Sequence, residues 1–388
     1  MLRDDSNGIA GKSFRGASGG AEHYISIEAE GELGLTAQIA QIERRYASAR
    51  AALGLADETA IFRRIFVSDV MNQAARVRES ALVRAAPDSP VAVSLVQQAP
   101  ACGAKIALLA YHLDDASLAK RRLSKHDLLV EKNGRRHLWT TGLCASENDD
   151  ALASPSAQTR AVFGDLIGAL ASQGGTLRDH CVRTWIYLKD VDVFYEGMVA
   201  SRGEVFAEHD LTGDSHFVAS TGIEGACAHR YDLVAMDAYS SLDLERRQVS
   251  YLNDFERLCA TKDYKVHFER GTRVAYADRA HHFISGTASI DKSGRIVHPG
   301  DVLRQLDYAI GNVEALLRSG GANLADLMHL IVYLRDPTDF ARVEARLAET
   351  IPDLPTIIVQ AAVCRPQWLV EVEGVAIAAD DAPALPAF

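Results

Sequence analysis

The sequence predicts an α+β protein in which three similar modules follow one another along one chain and form a pseudo-trimer. One local pattern occurs three times: a glutamine on a helix, a buried strand that ends in aspartate, and later a closing apolar strand. The three marker pairs are Gln41 and Asp69, Gln158 and Asp190, and Gln305 and Asp336. A repeat of roughly a hundred residues is longer than the roughly 20–50 residues of a solenoid repeat, so each copy suits a small domain.

Glycine-rich and charged segments suggest where the modules begin and end. Residues 1–20 contain five glycines and few apolar anchors, so we expect this N-terminus to be disordered. Module one then occupies 21–118, module two occupies 127–242 and module three occupies 263–380, with polar or charged linkers between them.

The first two modules each begin with recognisable elements. Module one starts with an apolar strand at 23–27, followed by a helix over about 34–53 with apolar residues at helical spacing. Module two starts with a hairpin across Asn133 and Gly134, a pair that favours the positive φ of a tight turn.

Module three has the clearest ββαβαβ pattern. Its elements are predicted at 265–275, 281–289, 301–319, 328–335, 337–349 and 367–378. Such a sheet carries helices on one face and needs another layer on its open face. Three modules could supply that layer by packing their sheets around a common axis.

Composition favours a globular cytoplasmic protein. The chain has 388 residues, 48% of them hydrophobic, and a net charge of −11 with no long basic run. Nucleic acid is therefore not an expected partner, because phosphate binding needs clustered Lys and Arg. The six cysteines have no paired spacing, which is typical of reduced thiols, and no apolar run reaches the roughly 18 residues that span a membrane.

No cofactor or metal is expected. The chain lacks a glycine-rich phosphate loop and a dinucleotide-binding motif. No spacing of His, Cys and Asp suggests a zinc site. The adjacent His281 and His282 cannot chelate together, because neighbouring strand residues point to opposite faces.

Module three resembles the Rid/YjgF family over essentially all of 265–378. The resemblance rests on 284–289 (ISGTAS), 298–301 (HPGD), Gln305, 312–313 (NV), 332–334 (VYL) and 370–373 (VEVE). Modules one and two are similar to the same family more faintly. The resemblance implies a chorismate-mutase-like α+β fold that forms trimers with sites between subunits. The chain would then be such a trimer in fused form, with three non-equivalent clefts.

The imine and enamine deaminases of this family carry an arginine upstream of the glutamate of the closing strand, where it grips the substrate carboxylate. The matching stretches here, 355–359, 216–220 and 89–93, contain no arginine. This departure puts a deaminase activity in doubt for all three clefts.

The chain is also similar to the chorismatases, which are built from Rid-like units and hydrolyse chorismate to pyruvate and a cyclohexadiene diol or a hydroxybenzoate. The segments that carry this resemblance are 268–271 (FERG), 284–288 (ISGTA), 364–373 (CRPQWLVEVE), 183–185 (RTW) and 219–223 (ASTGI). Gly271 together with Cys364 is the pairing found in the branch that makes 3-hydroxybenzoate.

Glu371 is the candidate acid. Cleavage of an enol ether starts with protonation of its terminal carbon, which needs a carboxylic acid that stays neutral near pH 7. Glu371 lies in an otherwise apolar strand, and Glu373 lies on the same strand face, where a second carboxylate would raise the pKa further. The alternative is a carboxylate that pairs with a nearby arginine for structure only.

Candidate ligand-binding residues follow from the need to hold carboxylates, for which arginine supplies forked donors. They are Arg183, Arg270, Arg335 and Arg365, with Tyr264 as a hydrogen-bond donor and Gly271, Cys364 and Glu373 near the ring. Each of them could equally be structural: surface arginines are common, and a lone Cys usually behaves as a small hydrophobe. In the functional reading, Cys364 carries a proton during formation of an aromatic product.

The leading hypothesis is a cofactor-free enzyme of chorismatase type, with its active cleft between modules two and three and a small carboxylate as substrate. The first alternative is a Rid-type hydrolase of an imine, an enamine or another small carbonyl-derived compound. The second is a protein that binds a small metabolite without catalysis. We expect a monomer or a homodimer and no membrane partner.

Overall fold

The computed structural model describes residues 1–4, 8–17, 19–86, 88–145, 154–227, 229–261 and 266–388. These residues form three six-stranded sheets, one in each module. The first sheet contains β1 (Leu2–Asp4), β2 (Ile9–Arg15), β3 (Ala21–Glu28), β4 (Ala60–Val67), β5 (Ala92–Gln97) and β6 (Ile106–Asp114). The second contains β7 (Ala119–Arg122), β8 (Asp127–Lys132), β9 (Arg135–Cys144), β10 (Cys181–Leu188), β11 (Ala219–Glu224) and β12 (Val234–Ser241). The third contains β13 (Val249–Tyr251), β14 (Gly271–Ala275), β15 (Arg279–Ala288), β16 (Leu327–Leu334), β17 (Thr356–Gln360) and β18 (Val370–Ala379).

The described helices are α1 (Leu35–Leu53), α2 (Val70–Arg78), α3 (Pro155–Ser172), α4 (Leu177–His180), α5 (Val191–Glu208), α6 (Val302–Ser319) and α7 (Phe340–Thr350). In the three modules the parallel pairs β4–β5, β10–β11 and β16–β17 are each joined through a crossover helix, as a parallel pair requires. Two of the aspartates at the strand ends cap the next helix: the side chains of Asp69 and Asp190 accept the third N–H of α2 and of α5. The predicted α+β fold of three tandem modules is confirmed.

The first strand of each sheet comes from a segment that the sequence analysis assigned to a terminus or a linker. β1 and β2 lie within residues 1–20, and β2 pairs with β3 along its whole length. The predicted disorder of this terminus is therefore wrong where the structure describes it, because backbone pairing to β3 and burial of Ile9 hold the segment in place. The short strands β7 and β13 likewise lie in the predicted linkers.

A glutamine ties a helix to the start of the closing strand in every module. The side-chain Oε1 of Gln158 accepts a backbone N–H just before β12 at 2.7 Å, and that of Gln305 accepts one just before β18 at 2.8 Å. In module one the equivalent residue is Gln38, which accepts from Lys105 at 2.7 Å. The choice of Gln41 was wrong by one helical turn: Gln41 accepts from a loop N–H instead.

The three sheets turn their open faces towards one another and share one core. Stacked or tilted rings cross every module boundary in this core. Ring centroids lie 4.9 Å apart in Phe62–Trp139, 5.2 Å apart in Tyr239–Phe283 and 4.8 Å apart in Tyr24–His329. Each module thus supplies the layer that covers its neighbours. None of the helices in the described ranges is both long and apolar enough to cross a bilayer.

Candidate functional site

A cavity of about 620 Å³ lies between modules two and three. Module two contributes one face of α5 and the polar strand β11. Module three contributes the segment before β14, the bulged strand β15 and the segment that leads into β18. The lining residues used below are Tyr195, Arg202, Ser220, Thr221, Arg270, Gly286, Ala288, Cys364, Arg365, Trp368 and Glu371.

The helix α5 places an arginine in this cavity. Val191, Tyr195, Val199 and Arg202 recur at helical spacing and share the face that lines it. Arg202 is 2% exposed, and its guanidinium lies 3.5 Å from the Ser220 hydroxyl, to which it donates. A buried cation at a ligand-sized cavity is a group that can bind an anion.

Glu371 forms part of the cavity wall on β18. It is 5% exposed and lies opposite Ala288 of β15, next to the bulge in that strand. In the part of the chain that the structure describes, no group donates a hydrogen bond to its carboxyl. The carboxyl therefore faces the cavity without the structural partner that the alternative interpretation required.

The environment of Glu371 keeps its carboxyl neutral. Burial, reinforced by the charge of Glu373, raises the pKa of Glu371 to about 8. Arg183 and Arg270 act in the opposite direction but do not outweigh burial. At neutral pH the group is a carboxylic acid that can donate a proton.

Gly286 makes room for this acid. A Cβ at this position would lie 2.2 Å from the Glu371 Oε1, far inside van der Waals contact. The backbone N–H of Gly286 donates to the Thr221 hydroxyl at 2.8 Å, which fixes the bulge against module two. The bulge thus fits module three to its neighbour and leaves space for the carboxyl.

Glu373 lies behind the cavity wall rather than in it. Its carboxylate accepts from Arg183 at 2.6 Å and from the Trp185 indole at 2.9 Å, and Thr221 donates to it as well. Arg64 of module one lies 3.4 Å away. Both Glu373 and Arg183 are 1% exposed. The structure therefore places these two predicted ligand-binding residues in a buried ion pair at the centre of the three modules.

The other predicted arginines divide into two groups. Arg270 and Arg365 line the cavity, the first 3% exposed and the second stacked 4.9 Å over the ring of Trp368. Arg335 does not line it: its guanidinium makes a forked ion pair with Asp192 of α5 at 2.8 and 2.9 Å. That pair joins modules two and three beside the cavity.

Cys364 lines the cavity near Glu371. Burial raises the pKa of its thiol to about 12, with a contribution from the charge of Glu371, so the group is a thiol at neutral pH. Gly271 is not among the residues that line the cavity, and a Cβ there would meet Leu252 and the Phe283 carbonyl at 3.0 Å. Tyr264 falls outside the described residues.

Arg202, Tyr195 and Thr221 were missed from the sequence. Arg202 follows Tyr195 at the spacing of two helical turns, and a polar arginine on an otherwise buried helix face is the signal that could have found it. Thr221 could not have been singled out, because its role depends on a contact with Gly286 across a module boundary.

Comparisons with known proteins agree with this fold. Residues 273–378 match the family Endoribonuclease L-PSP. A crystal structure of a chorismatase superposes with a TM-score of 0.61 at 18% identity, covering 82% of this chain and 93% of that one. The 3-hydroxybenzoate synthase of Streptomyces hygroscopicus is 28% identical over 218 residues, which are 50% of this chain. The chain spans only 62% of the length of that synthase.

A second relative covers a single module. The RutC family protein PH0854 of Pyrococcus horikoshii is 35% identical over 97 residues, which are 24% of this chain and 76% of that protein. This match and the repeated sheet topology agree with one another. The chain belongs to the RutC family and contains its Rid/YjgF-like fold as three tandem modules.

Proposed function

We propose that the cavity between modules two and three is the active site of a cofactor-independent enzyme of chorismatase type. The observation that carries the proposal is Glu371, a buried acid whose pKa is raised to about 8 and whose carboxyl faces a cavity lined by arginines. A neutral carboxylic acid in an apolar wall is what protonation of an enol ether requires.

The arginines define the substrate class. Arg202, Arg270 and Arg365 approach the cavity from α5, from the segment before β14 and from the segment before β18. Guanidinium groups bind carboxylates through forked hydrogen bonds, which suits a substrate with more than one carboxylate. A ring of carbon atoms between these carboxylates would lie against the apolar wall that Ala288 and Trp368 form.

Glu371 begins the proposed reaction by transferring its proton to the terminal methylene carbon of the enolpyruvyl group. The positive charge then lies on the carbon that bears the ether oxygen, and water adds to it. The proton that this water loses returns to the Glu371 carboxylate. As the hemiketal collapses, its hydroxyl loses a proton and the ether oxygen attached to the ring gains one. The bond between that carbon and the ether oxygen breaks, which gives pyruvate and a ring diol.

Loss of water from the diol would give a hydroxybenzoate. Cys364 is the group that we assign to a proton transfer in this second stage. Its thiol remains protonated at neutral pH because its pKa is raised to about 12. The 28% identity to a protein named 3-hydroxybenzoate synthase supports this product class.

The two alternatives have less support. A Rid-type deaminase would need an arginine in the stretch that forms β17, and Thr356–Gln360 contains none. A protein that only binds a metabolite would not need a raised pKa at a carboxyl without hydrogen-bond donors. We expect the bound small molecule to be a carboxylate. The oligomeric state, a monomer or a homodimer, and the cytoplasmic location also remain predictions.

The test is incubation of the full chain with chorismate, with pyruvate followed by a coupled reductase and the aromatic product identified by mass spectrometry. We expect Glu371→Gln to lose about 100- to 10,000-fold in turnover, since general acid catalysis contributes roughly 10²–10⁴-fold. The matched control is Glu28→Gln. Glu28 is a half-buried acid whose pKa desolvation likewise raises, to about 7, but it lies in the cleft between modules one and three.

The two variants separate the site from general effects. Turnover in the control and none in Glu371→Gln would support the assignment of the acid. Full turnover in Glu371→Gln would overturn it. The absence of pyruvate with the native chain would overturn the chorismatase proposal, and imines and enamines would be the next substrates.

A further inference from the structure

A second chemically distinctive cluster lies in the cleft between modules one and two. Cys144 at the end of β9, His229 in the loop before β12 and Asp232 two residues before β12 each offer one possible metal-ligand atom. These three atoms lie within 4.8 Å of one another. A thiolate, an imidazole and a carboxylate form a donor set that binds zinc.

The backbone positions of this trio are the ones that line the proposed active site one module further on. Cys144 lies opposite Ala235, as Ala288 lies opposite Glu371 in module three. Leu233 and Leu369 are equivalent, because each donates its backbone N–H to the glutamine of its module. Asp232 and Trp368 directly precede these leucines, and His229 and Arg365 lie four residues before them. Ala288, Trp368 and Arg365 all line the cavity between modules two and three. In the cleft between modules one and two, Cys144 and His229 line the wall, and Asp232 lies buried beside them.

Asp232 is the observation that points to a ligand. It is 2% exposed, and within the described ranges neither of its carboxylate oxygens has a hydrogen-bond partner. A buried carboxylate without partners is costly, and a bound cation is one of the few ways to compensate for it. The backbone N–H of Asp232 donates to the His229 carbonyl at 3.3 Å, and this turn brings the two side chains together.

We propose that Cys144, His229 and Asp232 bind one divalent transition metal ion, with zinc as the best match. Ligand atoms of a tetrahedral zinc site are roughly 3.3–3.8 Å apart, so binding draws the side chains together by on the order of 1 Å. The exposed His229 can supply this movement, whereas Cys144 is held in β9 at 4% exposure.

The surroundings leave a fourth coordination position accessible. The cleft has a volume of about 400 Å³ and is lined by Cys144 and His229 together with Arg78, Arg122 and Lys125. Three protein ligands with a position that opens on a cavity are the arrangement of zinc sites that bind an exogenous ligand. The nearby cations would favour an anion or hydroxide at that position.

The sequence analysis predicted no zinc site because it examined spacing. His229 and Asp232 are close in sequence, but Cys144 is far away and reaches them only through the pairing of β9 with β12. The site is independent of the proposed function, because none of its residues lines the cavity between modules two and three.

The experiment uses the full chain stripped of metal with a chelator and then titrated with Zn²⁺ by calorimetry and with Co²⁺ by absorption spectroscopy. We expect one ion per chain and a thiolate-to-cobalt charge-transfer band. Asp232→Asn is the first variant because it preserves shape, and Cys144→Ser is the second. Removal of a residue that only hydrogen-bonds to a metal ligand commonly weakens metal binding by about 10–100-fold. Each variant here removes a direct ligand, so its affinity for the metal should fall by at least that factor.

Cys227→Ser is the matched control, because Cys227 lines the same cleft but does not belong to the trio. It should retain the band and the stoichiometry. Zinc should also raise the melting temperature of the native chain and of Cys227→Ser but not that of Asp232→Asn. No stoichiometric binding by the native chain, unchanged binding in Asp232→Asn, or loss of the band in Cys227→Ser instead of Cys144→Ser would each overturn the proposal.

Discussion

The clefts on either side of module two have the same backbone frame but different side chains. Where module three has Glu371 opposite Ala288, module two has Ala235 opposite Cys144. The cleft between modules one and two therefore has no counterpart of the proposed acid Glu371. It has instead Cys144, a residue of a type that binds metal ions. Fusion of three modules in one chain allows each cleft to change independently, which a trimer of identical subunits cannot do.

Modules two and three carry the same type of residue at one position that faces the shared centre, although their cleft positions differ. Two residues beyond Glu371 and Ala235, both strands carry an acid, Glu373 and Asp237. Arg64 of module one lies between these two, 3.4 Å from the first carboxylate and 3.5 Å from the second. The central acids hold the three modules together. On β18, the proposed catalytic acid Glu371 and the structural acid Glu373 are therefore only two residues apart.

The largest effect on stability is expected for Glu373→Gln. It leaves the buried Arg183, which pairs with Glu373 at 2.6 Å, without its counter-charge. Removal of one partner of a buried ion pair costs about 3–5 kcal/mol. Asp237→Asn should cost less, because the nearest cation to Asp237 is Arg64 at 3.5 Å and its other donors are neutral. Urea denaturation measures both, and a larger loss in Asp237→Asn would contradict this order.

The two bulge glycines offer a sharper comparison of the clefts. Gly286→Ala should lower turnover by about 100-fold or more, equivalent to about 2.7 kcal/mol, because its Cβ would displace the Glu371 carboxyl. Gly142 occupies the same position in β9, where a Cβ meets nothing within 4 Å. Its φ is +68°, so Gly142→Ala should cost about 1–2 kcal/mol of stability and leave turnover intact. Equal losses of turnover in both would contradict the assignment of the active cleft.

The pH dependence tests the protonation state of Glu371. With a pKa of about 8, kcat/KM should be level at neutral pH and fall about tenfold per pH unit above 8. The folded state holds this proton more tightly than the unfolded chain, so its contribution to stability is lost as pH rises from about 4.5 to 8. Glu373→Gln, where it folds, should shift the fall in kcat/KM to lower pH, because Glu373 raises the pKa of Glu371. A fall centred near pH 4 to 5 would show that the acid is ionised at neutral pH.

The sequence predicted the elements that repeat and missed the contacts that cross between modules. Periodic apolar strands and the recurring Asp predicted the sheets, and the motif at 364–373 predicted two catalytic candidates, Glu371 and Cys364. The sequence could not show that Arg183, Glu373 and Gly271 lie away from the cavity wall. Whether a strand residue faces a cleft or the shared centre depends on the register of the strand. The N-terminal strand β2 was missed because its glycines indicate flexibility, whereas pairing with β3 supplies the order.

The smallest effect is expected at the ion pair beside the cavity. Arg335 of module three crosses to Asp192 of module two, whereas Lys189, at the equivalent position after β10, donates to the Arg230 carbonyl within its own module. A double-mutant cycle of Arg335→Gln with Asp192→Asn should give a coupling of less than about 1 kcal/mol that weakens in salt, because the Asp192 side chain is 43% exposed. A second cycle, which pairs Lys189→Gln with Asp192→Asn, should give no coupling energy. A coupling above about 2 kcal/mol would mean that this pair, and not the buried centre, carries much of the contact between modules two and three.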